Sequence, residues 1–291
     1  MDRFSQIETW YYDAILENNY SIVSLINVLT IGNWGIVLTG QFIYKNAKLL
    51  KSERKKYLLR QFYSSEEEPF IKINNKQIIK GVIDKNTGTW LYEISMGDQE
   101  NGFDLEFIKT TTPWKGKTYI GNWLVIPRFE VNGIIRFNGK NIDVKGVGYH
   151  DHNIYPLYAP FVTRGYHFGK INIDSMTITW ARVMKNRGEE QVIVVFNKNG
   201  DFININPKNI YFNIEKQVKN HSKLIPESFS LRVEDDYLNL NVKMDVLNFH
   251  HIGMPMLNYW RYHLKNIGEM QIGSDSYKID CIEISEYLKF L

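Results

Sequence analysis

The segment GVGYHDHN, residues 146–153, sets three titratable side chains next to one another: His150, Asp151 and His152 follow two glycines. Three chemistries fit such a cluster. It could hold a metal, move a proton, or brace a buried turn through mutual hydrogen bonds. On an extended strand successive side chains point to opposite faces, so His150 and His152 share one face while Tyr149, Asp151 and Asn153 share the other. A bulge at Gly148 would exchange those faces.

A His-x-His pair on one strand face can supply two metal ligands. The obvious supplements, His167, His250, His251 and His263, fall in no recognisable ligand spacing, so no metal is expected. Proton chemistry fits better. An apolar pocket around Asp151 would keep its carboxyl protonated and let it act as a general acid, with a neighbouring histidine fixing or relaying the proton. Other enzyme classes lack their signatures. Cys281 stands in a strand-like run, no Gly-x-Ser-x-Gly elbow occurs, GVG is too short for a dinucleotide fingerprint, and no P-loop is present. No cofactor is called for.

The elements that must position these groups read as strands. FDLEFIKT places Phe103, Leu105 and Phe107 on one face and Asp104 and Glu106 off it. Asn138-Gly139 and Asn199-Gly200 mark tight hairpins, and Glu234-Asp235-Asp236 a further turn. GEMQIGSDSYKIDCIEISEYL closes the chain in the same style. More than a dozen short strands predict an all-β sandwich or barrel architecture. The exception is 46–62, NAKLLKSERKKYLLRQF, where Leu49, Leu50, Leu58 and Leu59 punctuate a basic face and predict a helix. That basic run could touch an anionic membrane or nucleic acid, but the acidic SSEEEP beside it favours a solvated surface. The span Asn18–Tyr44 carries no charge, yet Gly32-Asn33 between β-branched runs reads as two buried strands and a turn, so no transmembrane segment is expected.

The chain has 291 residues, 44% hydrophobic and 23% charged, as globular proteins do. A net charge of +3 gives no argument for a nucleic-acid partner. A single cysteine excludes an internal disulfide framework and fits a reducing compartment. MDRFSQIE lacks a basic region leading into an apolar core, so no signal peptide and a cytoplasmic location are expected. Aromatic residues reach 14% of the chain, a content that suits strands and apolar pockets. Gly133 to Gly139, leading into the His-Asp-His strand, is loosely echoed by Gly268 to Gly273, leading into CIEISEY, as two related β domains would produce.

GVGYHDHN resembles the Gly-x-Gly-Tyr-His-Asp-His-Asn-Trp-Gly signature of the lipocalin-like carotenoid 1,2-hydratases, whose wider family includes AttH-like proteins and fungal Diels–Alderases. ETWYYDAILENNYSIVSLI is similar to that family's opening, and NWLVIPRFEVNGIIRF and YWRYHL…EISEY follow in the expected order. The resemblance implies two lipocalin-like, calycin-type β-barrel or sandwich domains packed side by side, 1–155 and 156–291, with an apolar pocket at or near their interface. It also implies protonation of an alkene, with His152 at the position of the histidine implicated in the hydratases. The tryptophan two positions on is Ile154 here, and MTITWARV offers Trp180 without the family's carboxylate.

The expected protein is therefore an enzyme that hydrates, isomerises or cyclises a lipophilic isoprenoid or polyketide-like molecule. Asp151 is its acid, His150 and His152 orient or relay, Tyr149 and Asn153 support, and Trp10, Tyr12 and Tyr155 line the pocket. The alternatives are a non-catalytic carrier in which the His-Asp-His segment is structural, and a pocket that folds a flexible polyene by shape alone.

Overall fold

The computed structural model describes residues 5–83, 88–254 and 257–290. The chain divides into two compact units, 1–157 and 158–291.

The first unit contains β1 (Gln6–Leu16), β2 (Tyr20–Ile31), β3 (Trp34–Lys45), β4 (Lys48–Leu58), β5 (Phe62–Ser64), β6 (Phe70–Ile73), β7 (Lys76–Ile83), β8 (Trp90–Gly97), β9 (Gly102–Lys109), β10 (Trp114–Thr118), β11 (Gly121–Phe137) and β12 (Lys140–Pro156). They form one antiparallel sheet in the order β4-β3-β2-β1-β12-β11-β9-β8-β7-β6-β5, with β10 added to β11, and the sheet curls into a nearly closed barrel. One face of each strand fills the barrel. Tyr12, Ala14, Ile26, Val37, Phe103, Leu105, Phe107, Ile126 and Phe129 are among the buried residues of this core. Asp104 and Glu106, on the alternate positions of β9, are exposed, as period-two patterning requires.

The second unit follows a short helical turn, α1 (Ala159–Val162). It contains β13 (Thr163–Ile173), β14 (Met176–Lys185), β15 (Gln191–Lys198), β16 (Asp201–Asn204), β17 (Ile210–Asn220), β18 (Lys223–Glu234), β19 (Leu238–Met254), β20 (Leu257–Ile272) and β21 (Asp275–Phe290). Their order, β16-β15-β14-β13-β21-β20-β19-β18-β17, repeats the wiring of the first unit: an opening meander and a closing meander joined where first strand meets last. Gly133 and Gly268 stand at corresponding places, on the first strand of the closing hairpin of each unit. The architecture is all-β and lipocalin-like, with several strands longer than the short repeats suggested.

The turns lie where their residues demand. Asn138 and Gly139 (φ 50° and 72°) join β11 to β12, and Asn199 and Gly200 (φ 55° and 92°) join β15 to β16. Both pairs adopt positive φ at both positions, the hairpin geometry that Asn-Gly accepts at little cost. The uncharged span Asn18–Tyr44 is the β2–β3 hairpin, turning at Gly32-Asn33. Among the described residues no helix is long and apolar enough to cross a membrane.

The helix expected over 46–62 does not form. Residues 48–58 are β4, paired with β3 and ending the sheet path, and the chain then makes a single 3-10 turn at Leu59–Gln61. Leucines that suggested a helical stripe fall on both strand faces, and the lysines and arginines decorate an edge strand. Charge on an edge discourages pairing with another chain. A local pattern cannot outweigh a partner strand that offers a full ladder of hydrogen bonds.

Gly148 is a packing requirement rather than a bulge. A Cβ there would come within 2.5 Å of Val131 Cγ2 and 2.6 Å of Phe107 Cε1, both core side chains. We expect Gly148→Ala to destabilise the first unit by about 1–3 kcal/mol through overpacking, measured by denaturant unfolding. An unchanged midpoint would mean that the Phe107 ring moves aside freely.

Candidate functional site

The His-Asp-His segment lies on β12 between β1 and β11. Its register with β1 is continuous from Gln6↔Pro156 to Leu16↔Gly146, so alternation holds through the whole segment. The irregularity sits on β11 instead, between Ile126 and Phe129. The site expected around Asp151 thereby separates into two groups on opposite faces of the sheet.

On the barrel face, Trp10, Tyr12, His150 and His152 come together. His152 lies opposite Trp10 and stacks on its indole, with ring centroids 4.7 Å apart and planes 15° apart. Its Nε2 is 2.8 Å from Glu8 Oε1. The carboxylate can only accept, so Nε2 carries the proton and Nδ1 is the nitrogen free to exchange one. Both partners keep about a quarter of their side-chain surface, 26% and 24%, so solvent or a ligand can reach the pair.

His150 lies opposite Tyr12 and stacks on it at 4.0 Å, with Tyr92 at 5.6 Å. Its Nδ1 donates to the Tyr11 carbonyl at 2.9 Å, which leaves Nε2 as the acceptor of the neutral tautomer. Burial pushes its pKa down from 6.5 to about 3; the Tyr11 carbonyl opposes this and His152 adds to it. Burial, and then Tyr92, hold the Tyr12 phenol well above its ordinary range, so it remains an OH donor.

On the other face, Asp151 accepts from Tyr149 OH at 2.9 Å on one oxygen and from Asn153 Nδ2 at 2.7 Å on the other. Alongside, Tyr11 OH donates to Asp13 at 3.0 Å. Tyr11, Asp13, Tyr149 and Asp151 are all buried. Burial first, then the charge of Asp151, raises the Tyr149 phenol far above its usual value. The strand points Asp151 away from both neighbouring imidazoles, because the register is continuous and successive side chains alternate. Tyr155, opposite Ile7, is half-buried.

Sequence reasoning missed Glu8, the partner of His152 across 144 positions. Its one local signal is spacing, since Glu8, Trp10 and Tyr12 alternate onto one face of β1. Trp10 also supplies, from the adjacent strand, an aromatic face beside His152 that Ile154 does not. Trp180 lies far away in sequence, in the core of the second unit. Among the described residues no group of three His, Cys, Asp or Glu side chains is placed to hold a metal ion.

The fold and this site define a two-unit lipocalin-like β protein. No family model and no curated protein sequence matches the chain. Solved structures do. A protein of Nitrosomonas europaea assigned as AttH is 13% identical with a TM-score of 0.71, covering 99% of this chain and 93% of its own. Kievitone hydratase of Nectria haematococca is 11% identical with a TM-score of 0.66, covering 97% and 88%. CghA, solved with Sch210972, is 8% identical with a TM-score of 0.66, covering 99% and 89%. At these identities the likeness is one of fold, and it is the fold of the AttH-like and hydratase group that the sequence motifs resemble.

His150 makes stability depend on pH. Between its ordinary pKa of 6.5 and its folded value of about 3 the unfolded chain holds a proton that the folded chain refuses. Folding stability therefore falls as pH drops through that window. Between about pH 7 and about pH 5 this one group should cost about 2 kcal/mol. His150→Phe should lose correspondingly less over the same interval, measured by paired urea titrations of variant and parent. Equal losses would show that the ring takes up its proton in the folded state.

Proposed function

We propose that the chain is an enzyme acting on a lipophilic small molecule, of isoprenoid or polyketide type, by acid/base-assisted hydration, isomerisation or cyclisation. The observation that carries this reading is the Glu8–His152 pair stacked on Trp10: a reachable imidazole, oriented by a carboxylate, against an aromatic face. Such a pair suits general acid/base work. Glu8 holds the ring by Nε2–H and compensates the charge it gains when Nδ1 takes a proton, and Nδ1 then delivers that proton to an alkene or carbonyl. The Trp10 face on which the ring lies can stabilise the imidazolium that forms when Nδ1 takes the proton. Neutral His150, with Tyr12 and Tyr92, supplies an apolar wall and one acceptor nitrogen. The likeness in fold to a kievitone hydratase supports the hydration arm of this reading.

In this reading Asp151 braces the segment, since both of its oxygens already accept hydrogen bonds from its own strand. That same observation favours a second reading, a non-catalytic carrier of a hydrophobic ligand in which the whole segment is structural.

The test is turnover of a panel of prenylated phenols and polyenes, followed by mass spectrometry. A gain of one water marks hydration; an unchanged mass at a new retention time marks isomerisation or cyclisation. His152→Gln and Glu8→Gln should each lower kcat by ~10²–10⁴-fold. Asp151→Asn should retain turnover and lose about 1–3 kcal/mol of stability. Loss of activity in Asp151→Asn with His152→Gln intact would make Asp151 the acid. Tight binding of a panel member with no new product would favour the carrier.

A further inference from the structure

The second unit contains a cluster that the proposed reaction does not use. His167 on β13 is fully buried, and neither ring nitrogen has a hydrogen-bond partner. Three further buried polar atoms in the same core are also unpartnered: Trp180 Nε1 and Arg182 Nη1 on β14, and Tyr262 OH on β20. Rings hold these groups together. His167 lies 4.9 Å from Trp180 and 5.8 Å from Tyr262, centroid to centroid, with Phe229 and Phe212 at 4.6 Å and 5.8 Å. Arg182 is directly opposite His167 across the β13–β14 ladder.

Five such atoms in one core are out of keeping with native interiors, where nearly every buried polar group is satisfied. Each orphan costs about 1–3 kcal/mol. Four of the five can donate, and only one nitrogen of the neutral imidazole accepts. An indole N–H, a guanidinium N–H and a phenol O–H can all donate, and a neutral imidazole adds one N–H. Burial, with Arg182 adding to it, keeps His167 well below its ordinary pKa and therefore neutral.

Charge points the same way. Arg182 Nε pairs with Glu190 at 2.6 Å, but Glu190 also accepts from Arg164 at 3.3 Å, so two guanidinium groups share one carboxylate. Lys289 is pushed below its usual pKa chiefly by burial, with smaller contributions from Lys223, Arg164 and Arg182. The indole is also held in place. A Cβ on Gly169 would stand 2.5 Å from Trp180 Cζ2 and 3.1 Å from its Nε1, so the glycine is what lets this ring lie across β13.

We propose that Arg182, Trp180, Tyr262 and His167 form a buried site for a compact monoanion, a halide or the carboxylate head of a small organic acid, inside the second unit. Arg182 supplies the charge and the other three fixed donors replace its hydration shell. The edges of the surrounding rings, the positive part of their quadrupole, suit an anion as well. The site is independent of the Glu8–His152 pair, which belongs to the first unit.

The test uses the full chain, exchanged into a HEPES buffer free of halide and carboxylate and held at constant ionic strength with a bulky sulfonate salt, and titrated separately with bromide, formate and benzoate. The melting midpoint and the ring ¹⁵N signals of the histidines are followed. A compact-anion site predicts a saturable rise of the midpoint with bromide or formate, half-complete at ~10 mM or below, with a shift of the His167 ring signals. Tyr262→Phe, which removes only an unpartnered hydroxyl, should weaken half-saturation about 5–10-fold. His167→Phe should fold at least as stably without anion and lose the response. Tighter binding of formate or benzoate than of bromide identifies a carboxylate; the reverse identifies a halide. No saturable response to any of the three overturns the proposal, as does an equal response in His167→Phe. In either case ordered water would be the partner of the orphaned donors.

Discussion

Each unit depends on the pairing of its first strand with its last. In the first unit β1 and β12 run antiparallel without a break over the full length of β1, joining residues about 140 positions apart. This ladder cannot form early by local search, because closing so long a loop costs entropy before any contact repays it. The hairpins on either side are local and can assemble first. Once the ladder forms it fixes the face of every residue on both strands, and a slip by one position would carry Tyr12 and His150 out of the core. Gly146 and Gly148 serve this pairing. A Cβ on Gly146 would stand 2.1 Å from the Ile15 carbonyl oxygen, and one on Gly148 would strike Phe107 and Val131.

The same junction in the second unit carries the same kind of pair in reversed order. Tyr12 of the first strand faces His150 of the last in one unit; His167 of the first strand faces Tyr287 of the last in the other. Both imidazoles are neutral because burial makes protonation costly. They differ in what remains for them to do. His150 gives its one N–H to the Tyr11 carbonyl and keeps a defined tautomer, whereas His167 has no protein partner at either nitrogen. Two units with one wiring have therefore placed an imidazole at the same seam and surrounded it differently.

Much of this was legible from residue types alone, because strand alternation and tight-turn chemistry are local. The face shared by Phe103, Leu105 and Phe107, the Asn-Gly hairpins and the two-strand reading of the uncharged span all follow from side chains within a few positions of one another. The division of His150 and His152 from Asp151 follows too, given a strand without a bulge. What failed depended on distant partners. Over 46–62 the paired leucines on a basic segment suggest a helical stripe and show no strand alternation, and only the partner strand β3 makes the segment a strand. Glu8 was invisible as a partner of His152, since nothing local links positions so far apart. The orphaned donors around Arg182 were equally hidden: His167, Trp180 and Tyr262 each read singly as ordinary core residues.

That three adjacent titratable groups serve two faces has a chemical consequence. In a helix or a turn, His150, Asp151 and His152 would share one environment, and their charges would couple closely. The strand sends the imidazoles into the barrel and the carboxylate to the opposite side, where a phenol and an amide hold it. The barrel face thus receives the two imidazoles without Asp151 beside them, and the carboxylate that meets His152 comes from β1 instead, as Glu8. Because Glu8 and His152 sit on the two strands of the ladder, their 2.8 Å contact is only as good as the register that brings them together. The Glu8–His152 contact and the closure of the unit are therefore one constraint: a slip of the β1–β12 register that carried Glu8 away would also remove the hydrogen bond that orients His152.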